Sequence, residues 1–241
     1  AYGIRPEMYK ISSSSQKNID FSIHCEYYDD ISLSISSVAE YQMKNATEAV
    51  TAIRVMDQEG IFTDEIIRKG ITDMRWQGRM ETVLPGVIID GAHNEAGVEE
   101  FVRTAKRLEA DYPVTLLFAA VGDKDYRHMI ETICRELRLE RVIVTEVGGY
   151  RSVDVKEPKG LFEQFGQKQI TAIPDVEKAF EEALKEKGDG ILFCVGSLYL
   201  VGSIKKILRD RRTANDLPAA AQGFRASHVN LIALHFFSCE V

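Results

Sequence analysis

The sequence predicts an α/β fold in which a mostly parallel sheet is covered by helices on both faces. From residue 87 onwards, apolar strand-like segments alternate with amphipathic helix-like segments, and the strands begin about every 22 to 28 residues. That spacing leaves room for the crossover helix that joins two parallel strands. Residues 114–121 and 191–195 are almost continuously apolar, which is typical of strands buried on both faces.

The alternating region is predicted to contain five strands and five helices. The predicted strands are residues 87–90, 114–121, 142–146, 169–173 and 191–195. The predicted helices are residues 96–108, 126–137, 159–165, 176–186 and 198–208. In the first of these helices the apolar residues have the spacing of one packed face, so they are assigned to the core: Val98, Phe101, Val102, Ala105 and Leu108.

The residues before this region have other periodicities. Every second residue is apolar through most of 19–35, which predicts a β-hairpin with one buried face and a turn at residues 29–30. Apolar residues three to four positions apart in 46–56 predict a helix of about four turns. A shorter helix is expected to begin at Thr63 or Asp64, whose side-chain oxygens can accept hydrogen bonds from the first turn.

Composition limits the classes of partner. The chain has 241 residues, of which 45% are hydrophobic, and a formal net charge of −7. This charge repels phosphate backbones and anionic lipids, so we expect neither a nucleic-acid nor a membrane partner. The longest apolar runs are far shorter than the roughly 18 to 20 residues of a membrane span, and residues 1–10 do not resemble a signal peptide. We therefore expect a globular, cytoplasmic monomer.

The four cysteines have no C-x-x-C spacing and three lie in apolar segments. Reduced thiols are therefore expected, and no metal site is predicted from this chain.

Ligands of open parallel sheets bind beyond the carboxyl ends of the strands. Asp90 ends one predicted strand, and a turn of small residues containing His93 and Asn94 leads into the next helix. Asp125 and Ser197 begin the helices that follow two other strands, where free backbone N–H groups attract anions. A purely structural interpretation stays open for each, because Asp, Asn and Ser also cap helices and organise turns.

Arg79 lies in the segment 75–82, which is expected to link the two regions. An arginine in such a linker can present two parallel N–H donors to a phosphate when domains close. The alternative interpretation is a solvated charge with no binding role.

Three motifs in this order resemble folylpolyglutamate synthase, the folate branch of the Mur ligases, which often doubles as dihydrofolate synthase. The motifs are the Trp-Gln-Gly-Arg-Met-Glu of residues 76–81, the Asp-Gly-Ala-His-Asn of 90–94, and the Gly-Ser-Leu-Tyr-Leu-Val-Gly of 196–202. The Asp-Lys-Asp of 123–125 and the Gln-x-x-Asn-Ala of 42–46 add to the resemblance. It covers roughly residues 19–208 and implies a Rossmann-like Mur ligase C-terminal domain.

The resemblance implies an ATP- and Mg²⁺-dependent ligase. The γ-carboxylate of folate would be phosphorylated by ATP, and the amine of L-glutamate would attack the acyl phosphate. By the same match, Arg79 would contact the ATP phosphates, and Asp90 and Asn94 the nucleotide. His93 would face the reacting phosphoryl group or the incoming amine, and Ser197 a carboxylate of glutamate. Arg79 and His93 are the residues expected to act in catalysis.

The sequence also departs from the family pattern. It contains no Gly-Lys pair and hence no glycine-rich phosphate loop, and residues 150–154 differ from the expected Pro-Arg-Ala type. We therefore expect a C-terminal half: a central-domain remnant (1–74), the linker, a ligase domain (83–208) and an atypical tail (209–241). Such a chain is expected to need the missing half to hold ATP and Mg²⁺, and to be inactive alone.

Two rival functions remain. The first is a non-catalytic α/β ligand-binding or regulatory module, which the lack of a phosphate loop favours. The second is a fragment of a peptidoglycan Mur-type amino-acid ligase, which shares the architecture.

Overall fold

The computed structural model describes residues 5–14, 18–25 and 28–213. Two sheets organise this part of the chain: an antiparallel sheet of three strands, followed by a mixed sheet of six. Most of the tail predicted at residues 209–241 lies outside the described residues, so the prediction that it is atypical stays a prediction.

The small sheet contains β1 (Tyr9–Ser14), β2 (Ile19–Cys25) and β3 (Tyr28–Ile35), in that order, after a short 3-10 helix at Pro6–Met8. β2 and β3 pair antiparallel, which confirms the predicted hairpin. The predicted turn is wrong, because residues 29–30 belong to β3. β1 was not predicted, since all of its residues after Tyr9 are exposed and give no alternating apolar pattern.

Two helices, α1 (Tyr41–Met56) and α2 (Asp64–Asp73), cover the buried face of this sheet and confirm the two predicted helices. The Thr63 hydroxyl accepts a hydrogen bond from the Ile66 backbone N–H, as its capping position requires. Sheet and helices share a core of side chains including Phe21, Met43 and Val50.

The large sheet confirms the fold class. Its strands are β4 (Glu81–Leu84), β5 (Val87–Ile89), β6 (Val114–Phe118), β7 (Leu139–Val144), β8 (Ile170–Ala172) and β9 (Ile191–Val195). They lie in the order β4-β5-β9-β6-β7-β8, and every neighbouring pair is parallel except β4 and β5. β4 was not predicted, because its four residues are exposed or half-exposed; its first two fall in the predicted linker and its last two at the start of the predicted ligase domain.

Helices cover both faces of the large sheet. They are α3 (Glu95–Glu109), α4 (Tyr126–Glu136), α5 (Lys156–Gln164), α6 (Val176–Glu186) and α7 (Leu198–Thr213). α3, α4 and α5 pack on one face, where Phe101 and Phe193 meet edge to face with ring centroids 5.3 Å apart. α6 and α7 pack on the other face. α7 ends at Thr213 rather than at Leu208, and Arg211 in its added turn pairs with Glu177 and Glu181.

The two regions touch at the start of α1. Val38 and Ala39 belong to the core of the large sheet, and Arg107 of α3 donates a 2.7 Å hydrogen bond to the Val38 carbonyl and pairs with Glu40. The domain boundaries given above stay predictions.

The remaining expectations concern membranes and thiols. No helix within the described ranges is long and apolar enough to cross a membrane. Cys134 and Cys194 are free thiols; burial raises the pKa of Cys134 to about 11 and that of Cys194 well above its usual value. Both are therefore protonated near neutral pH, as expected of structural cysteines.

Candidate active site

The candidate site lies at the carboxyl ends of β5, β9 and β6, which are neighbours in the sheet. Asp90 follows β5 and Ser197 follows β9, so the structure places them at one rim. The Asp90 backbone N–H donates to the Cys194 carbonyl at 2.9 Å, which ties the two strand ends together. Asp125 follows β6 and caps α4 by accepting a 3.1 Å hydrogen bond from the His128 N–H.

The Asp90 carboxylate is buried under this rim and holds the backbone around it by hydrogen bonds. It is only 3% exposed, and its two oxygens accept hydrogen bonds of 2.7 Å from the backbone N–H groups of Met80 and Ala92. Burial raises the pKa of Asp90 to about 6, while the two backbone donors and then Arg79 and His93 oppose the shift. At neutral pH the group is thus mostly an anion whose oxygens are occupied by the chain itself.

The segment before β4 is bent around this carboxylate. Met80 has a positive φ of 47° although its side chain is buried, a conformation held by its hydrogen bond to Asp90. The Gly78 carbonyl accepts a 2.7 Å hydrogen bond from the Gly91 N–H, and the Gly78 N–H donates to Glu81 at 2.6 Å. Lys205 of α7 in turn donates to Glu81 at 3.0 Å. These hydrogen bonds hold Gly78 and Met80, so the backbone of Arg79 between them is held in place as well.

The Arg79 side chain is exposed beside this anchored turn. Within the described part of the chain its guanidinium has no hydrogen bond or ion pair. Burial, the largest effect on each, raises the pKa of Asp90 and of Tyr41, and the nearby positive charge of Arg79 opposes part of that rise. An arginine whose five donors are uncommitted can bind a phosphate or carboxylate at the rim.

His93 and Asn94 connect Asp90 to α3. The His93 Nδ1 lies 2.6 Å from the Gly91 carbonyl, and since a carbonyl only accepts, this nitrogen carries the proton. Nε2 is therefore left for another partner. The Asn94 side chain caps α3 by accepting a 2.8 Å hydrogen bond from the Gly97 N–H. Asn94 is exposed and His93 half-buried, so both are reachable from the rim.

Ser197 lies at the start of α7 and is 1% exposed. Its hydroxyl oxygen accepts a 3.1 Å hydrogen bond from the Tyr199 N–H. Leu198 and Tyr199 beside it are about half exposed. Helix capping thus explains the hydrogen bond that the Ser197 hydroxyl oxygen accepts. The proton of the same hydroxyl has no acceptor among the residues that the structure describes.

Arg151 was not among the predicted site residues, although its loop was recognised as unusual. It forms a 2.9 Å ion pair with Asp123, and a hydrogen bond to the Tyr199 side chain, then Asp123, raise its pKa. The loop follows β7 and reaches the rim because the Gly122 N–H donates to the Arg151 carbonyl at 3.0 Å. The signal that could have identified Arg151 is its contact with Asp123 and Tyr199, which belong to the motifs at 123–125 and 196–202. That contact is visible in the fold and not in the sequence.

The rim suits anionic ligands more than a metal ion. Arg79 and the first turns of α3 and α7 supply donors, whereas the one buried carboxylate is already hydrogen-bonded. The described residues contain no cluster of three or more His, Cys, Asp or Glu side chains able to hold a metal. The donors at this rim are thus suited to phosphate or carboxylate groups.

A mostly parallel sheet with helices on both faces, and with polar residues at its strand ends, defines this part of the chain as an α/β protein of the doubly wound type. Residues 78–198 match the family model described as "Mur ligase, glutamate ligase domain". The chain therefore belongs to the Mur ligase family.

Curated relatives are folate enzymes. The dihydrofolate synthase/folylpolyglutamate synthase of Bacillus subtilis (strain 168) is 30% identical over 200 residues, which are 80% of this chain and 44% of the relative. The folylpolyglutamate synthase of Lacticaseibacillus casei is 26% identical over 180 residues, or 73% of this chain and 40% of that protein. The chain thus spans less than half the length of these relatives.

Solved structures agree in fold. Folylpolyglutamate synthase from Thermotoga maritima superposes with a TM-score of 0.67 at 25% identity, over 89% of this chain and 48% of that one. E. coli FolC in complex with ADP gives a TM-score of 0.71 at 19% identity, over 85% and 46%. A bifunctional synthase from Yersinia pestis with Mn, AMPPNP and L-glutamate bound gives 0.65 at 19% identity, over 85% and 47%.

Proposed function

We propose that this chain supplies the glutamate-ligase domain of an ATP-dependent enzyme that adds L-glutamate to the γ-carboxylate of a folate. One observation carries the proposal: residues 78–198 match the glutamate ligase domain model, and relatives matching up to 80% of the chain are folylpolyglutamate or dihydrofolate synthases. The same observation favours the folate branch over a peptidoglycan ligase. The matched segment contains the five residues to which the resemblance gave roles, which are Arg79, Asp90, His93, Asn94 and Ser197.

In the proposed reaction ATP transfers its γ-phosphoryl group to the folate γ-carboxylate, giving ADP and an acyl phosphate. The amine of glutamate attacks the acyl carbon, phosphate leaves, and an amide forms with loss of a proton. No covalent bond to the protein is needed, so the domain contributes by positioning the reactants and stabilising charge.

Arg79 is the proposed phosphate ligand, because its guanidinium is exposed, free of partners in the described chain and held on an anchored turn. Asn94 is the proposed nucleotide contact. Asp90, initially predicted to contact the nucleotide, is assigned a positioning role, because its buried oxygens hold the backbone on either side of Arg79 and His93.

His93 is proposed to orient the reacting groups through Nε2, since Nδ1 is engaged by Gly91. Ser197 is proposed to donate its free hydroxyl proton to a carboxylate of the incoming glutamate. The Yersinia pestis synthase was solved with Mn and AMPPNP, which supports ATP and a divalent cation as co-reactants. Their remaining contacts are assigned to the part of the relatives that this chain does not match.

The test is a chimera in which this chain replaces the matching segment of the B. subtilis relative. Glutamylation of tetrahydrofolate, followed by mass spectrometry of the product, should require the chimera, ATP and Mg²⁺. Two controls are used. The first is the unmatched remainder of the relative without this chain, and the second is the chimera carrying both Arg79→Ala and His93→Ala; neither should glutamylate the folate.

A folded chimera without glutamylation would contradict the proposal and favour a non-catalytic module. If the chimera does not fold, the separately expressed remainder and this chain are mixed instead. If the two pieces form a complex that does not glutamylate the folate, the proposal is contradicted as well.

A further inference from the structure

A groove of about 600 Å³ lies between the first turns of α4 and α5, a volume in the range of ligand sites. Its lining includes three cations, Lys124, Arg127 and Lys156. This is a local surplus of positive charge in a chain whose formal net charge is −7. A concentration of cations against the overall field indicates a surface suited to an anionic ligand.

Two carboxylates, Asp125 and Glu157, also line the groove, so three cations against two carboxylates leave a surplus of one positive charge, and no ion pair joins the two sets within the described residues. Asp125 caps α4, and Glu157 accepts a 2.6 Å hydrogen bond from the Tyr126 hydroxyl. Within the described residues, neither Lys124 nor Lys156 forms an ion pair. Arg127 contacts only neutral groups in that part of the chain: it donates to Gln164 at 3.3 Å and lies over the Phe165 ring.

The groove belongs to the same rim as the candidate active site. His128 of α4 lies 3.4 Å from Glu95 in the first turn of α3, directly after Asn94. The bond from Tyr126 to Glu157 then links α4 to α5. Neighbouring helices pack about 8 to 10 Å apart, so the groove begins roughly one helix spacing from His93.

We propose that this groove binds the γ-linked glutamate chain already attached to the acceptor folate, an inference that rests on the proposed function. A γ-glutamyl unit extends roughly 6 Å, because two extra carbon–carbon bonds lengthen the ordinary residue spacing. With the reacting end placed beside His93, the carboxylates one and two units back lie roughly 6 and 12 Å away, which spans one helix spacing. The cations of the groove lie at separate points, with Lys124 just before α4, Arg127 in the first turn of α4 and Lys156 at the start of α5. This arrangement suits an extended chain of separate carboxylates better than one compact phosphate.

Direct binding tests the groove without catalysis. Calorimetry with γ-linked tetraglutamate and this chain should give a dissociation constant below about 1 mM that weakens as salt is raised. The double variant Lys124→Ala/Lys156→Ala should weaken binding at least about tenfold. The matched control Lys178→Ala/Lys206→Ala removes two exposed lysines from the opposite face and should bind normally.

Gly160 provides a second pair of variants. It lines the groove, and a Cβ added there meets no atom within 4 Å, so a side chain can begin at this position without a steric clash. Gly160→Glu should abolish binding, whereas Gly160→Gln, of nearly the same size, should retain most of it. Unaltered binding in both the lysine and glutamate variants would overturn the proposal, as would binding of inorganic phosphate but not tetraglutamate.

The chimera separates this inference from the function it rests on. With a triglutamyl folate acceptor, Lys124→Ala/Lys156→Ala should raise KM at least about tenfold, while KM for the monoglutamyl acceptor should stay the same. A chimera that is active on both acceptors but insensitive to the lysines contradicts the groove assignment alone. A folded chimera inactive on both contradicts the proposed function.

Discussion

Replacing Asp90 with asparagine isolates the cost of holding a charge beneath the rim. Asp90→Asn keeps the size of the side chain but removes its titration. Burial raises the pKa of Asp90 from 3.8 to about 6, so the folded protein binds this proton more tightly than the unfolded chain does. Its contribution to stability is therefore complete below pH 3.8 and is lost as the pH rises through about 6.

The magnitude follows from linkage. Between about pH 4.5 and 7.5, a carboxyl group with these two pKa values changes the free energy of unfolding by about 2 kcal/mol. The difference in unfolding free energy between the native sequence and Asp90→Asn should thus favour the native sequence by about 2 kcal/mol more at the lower pH. Taking this difference cancels the titration of groups that both proteins share.

Urea unfolding followed by circular dichroism at the two pH values measures this quantity. Asp111→Asn makes the same chemical change at an exposed position after α3 and serves as the control. A difference independent of pH, or one favouring the native sequence at the higher pH, would refute the reasoning. The hydrogen bonds from Met80 and Ala92 would then outweigh burial.

Three further predictions concern catalysis and the end of α7. In the chimera, Arg79→Ala should lower kcat at least about 100-fold, since a charged contact made in the transition state contributes roughly 3 kcal/mol; unchanged kcat would make Arg79 a solvated surface charge. His93→Ala should lower kcat more than it raises KM for ATP, and an equal effect on both would indicate ground-state nucleotide binding. Truncation after Thr213 should shift the melting temperature by only a few degrees. Truncation after Leu208 should lower it further, because it removes the ion pairs of Arg211; equal melting temperatures would contradict this.

The sequence predicted those elements whose burial leaves a pattern in the chain. β6 and β9 are buried at every position and were recognised as continuous apolar runs. β1 and β4 were missed because they lie at sheet edges and are mostly exposed or half-exposed, so no periodicity distinguishes them from loops. The end of α7 was placed too early because its last turn is held by ion pairs rather than by apolar contacts.

The candidate site was predictable in position but not in its bonding. The strand-end rule and the motifs placed Asp90, His93 and Ser197 after strand ends, and the structure has them after the neighbouring strands β5 and β9. Their roles stay predictions. That Asp90 accepts from Met80, ten positions earlier, depends on how β4 pairs with β5, which the sequence did not reveal. Arg151 meets Tyr199 because a loop after β7 folds back over the rim, a contact between distant parts of the chain.

The most direct test of the proposed ligase chemistry follows an oxygen atom. The chimera is supplied with ATP, glutamate and a folate whose γ-carboxylate carries heavy oxygen, and the released inorganic phosphate is analysed by mass spectrometry. If the carboxylate is activated as an acyl phosphate, one labelled oxygen stays on phosphorus when the amine displaces phosphate. The account predicts one heavy oxygen in phosphate for each glutamate added. Amide formation with unlabelled phosphate would contradict it.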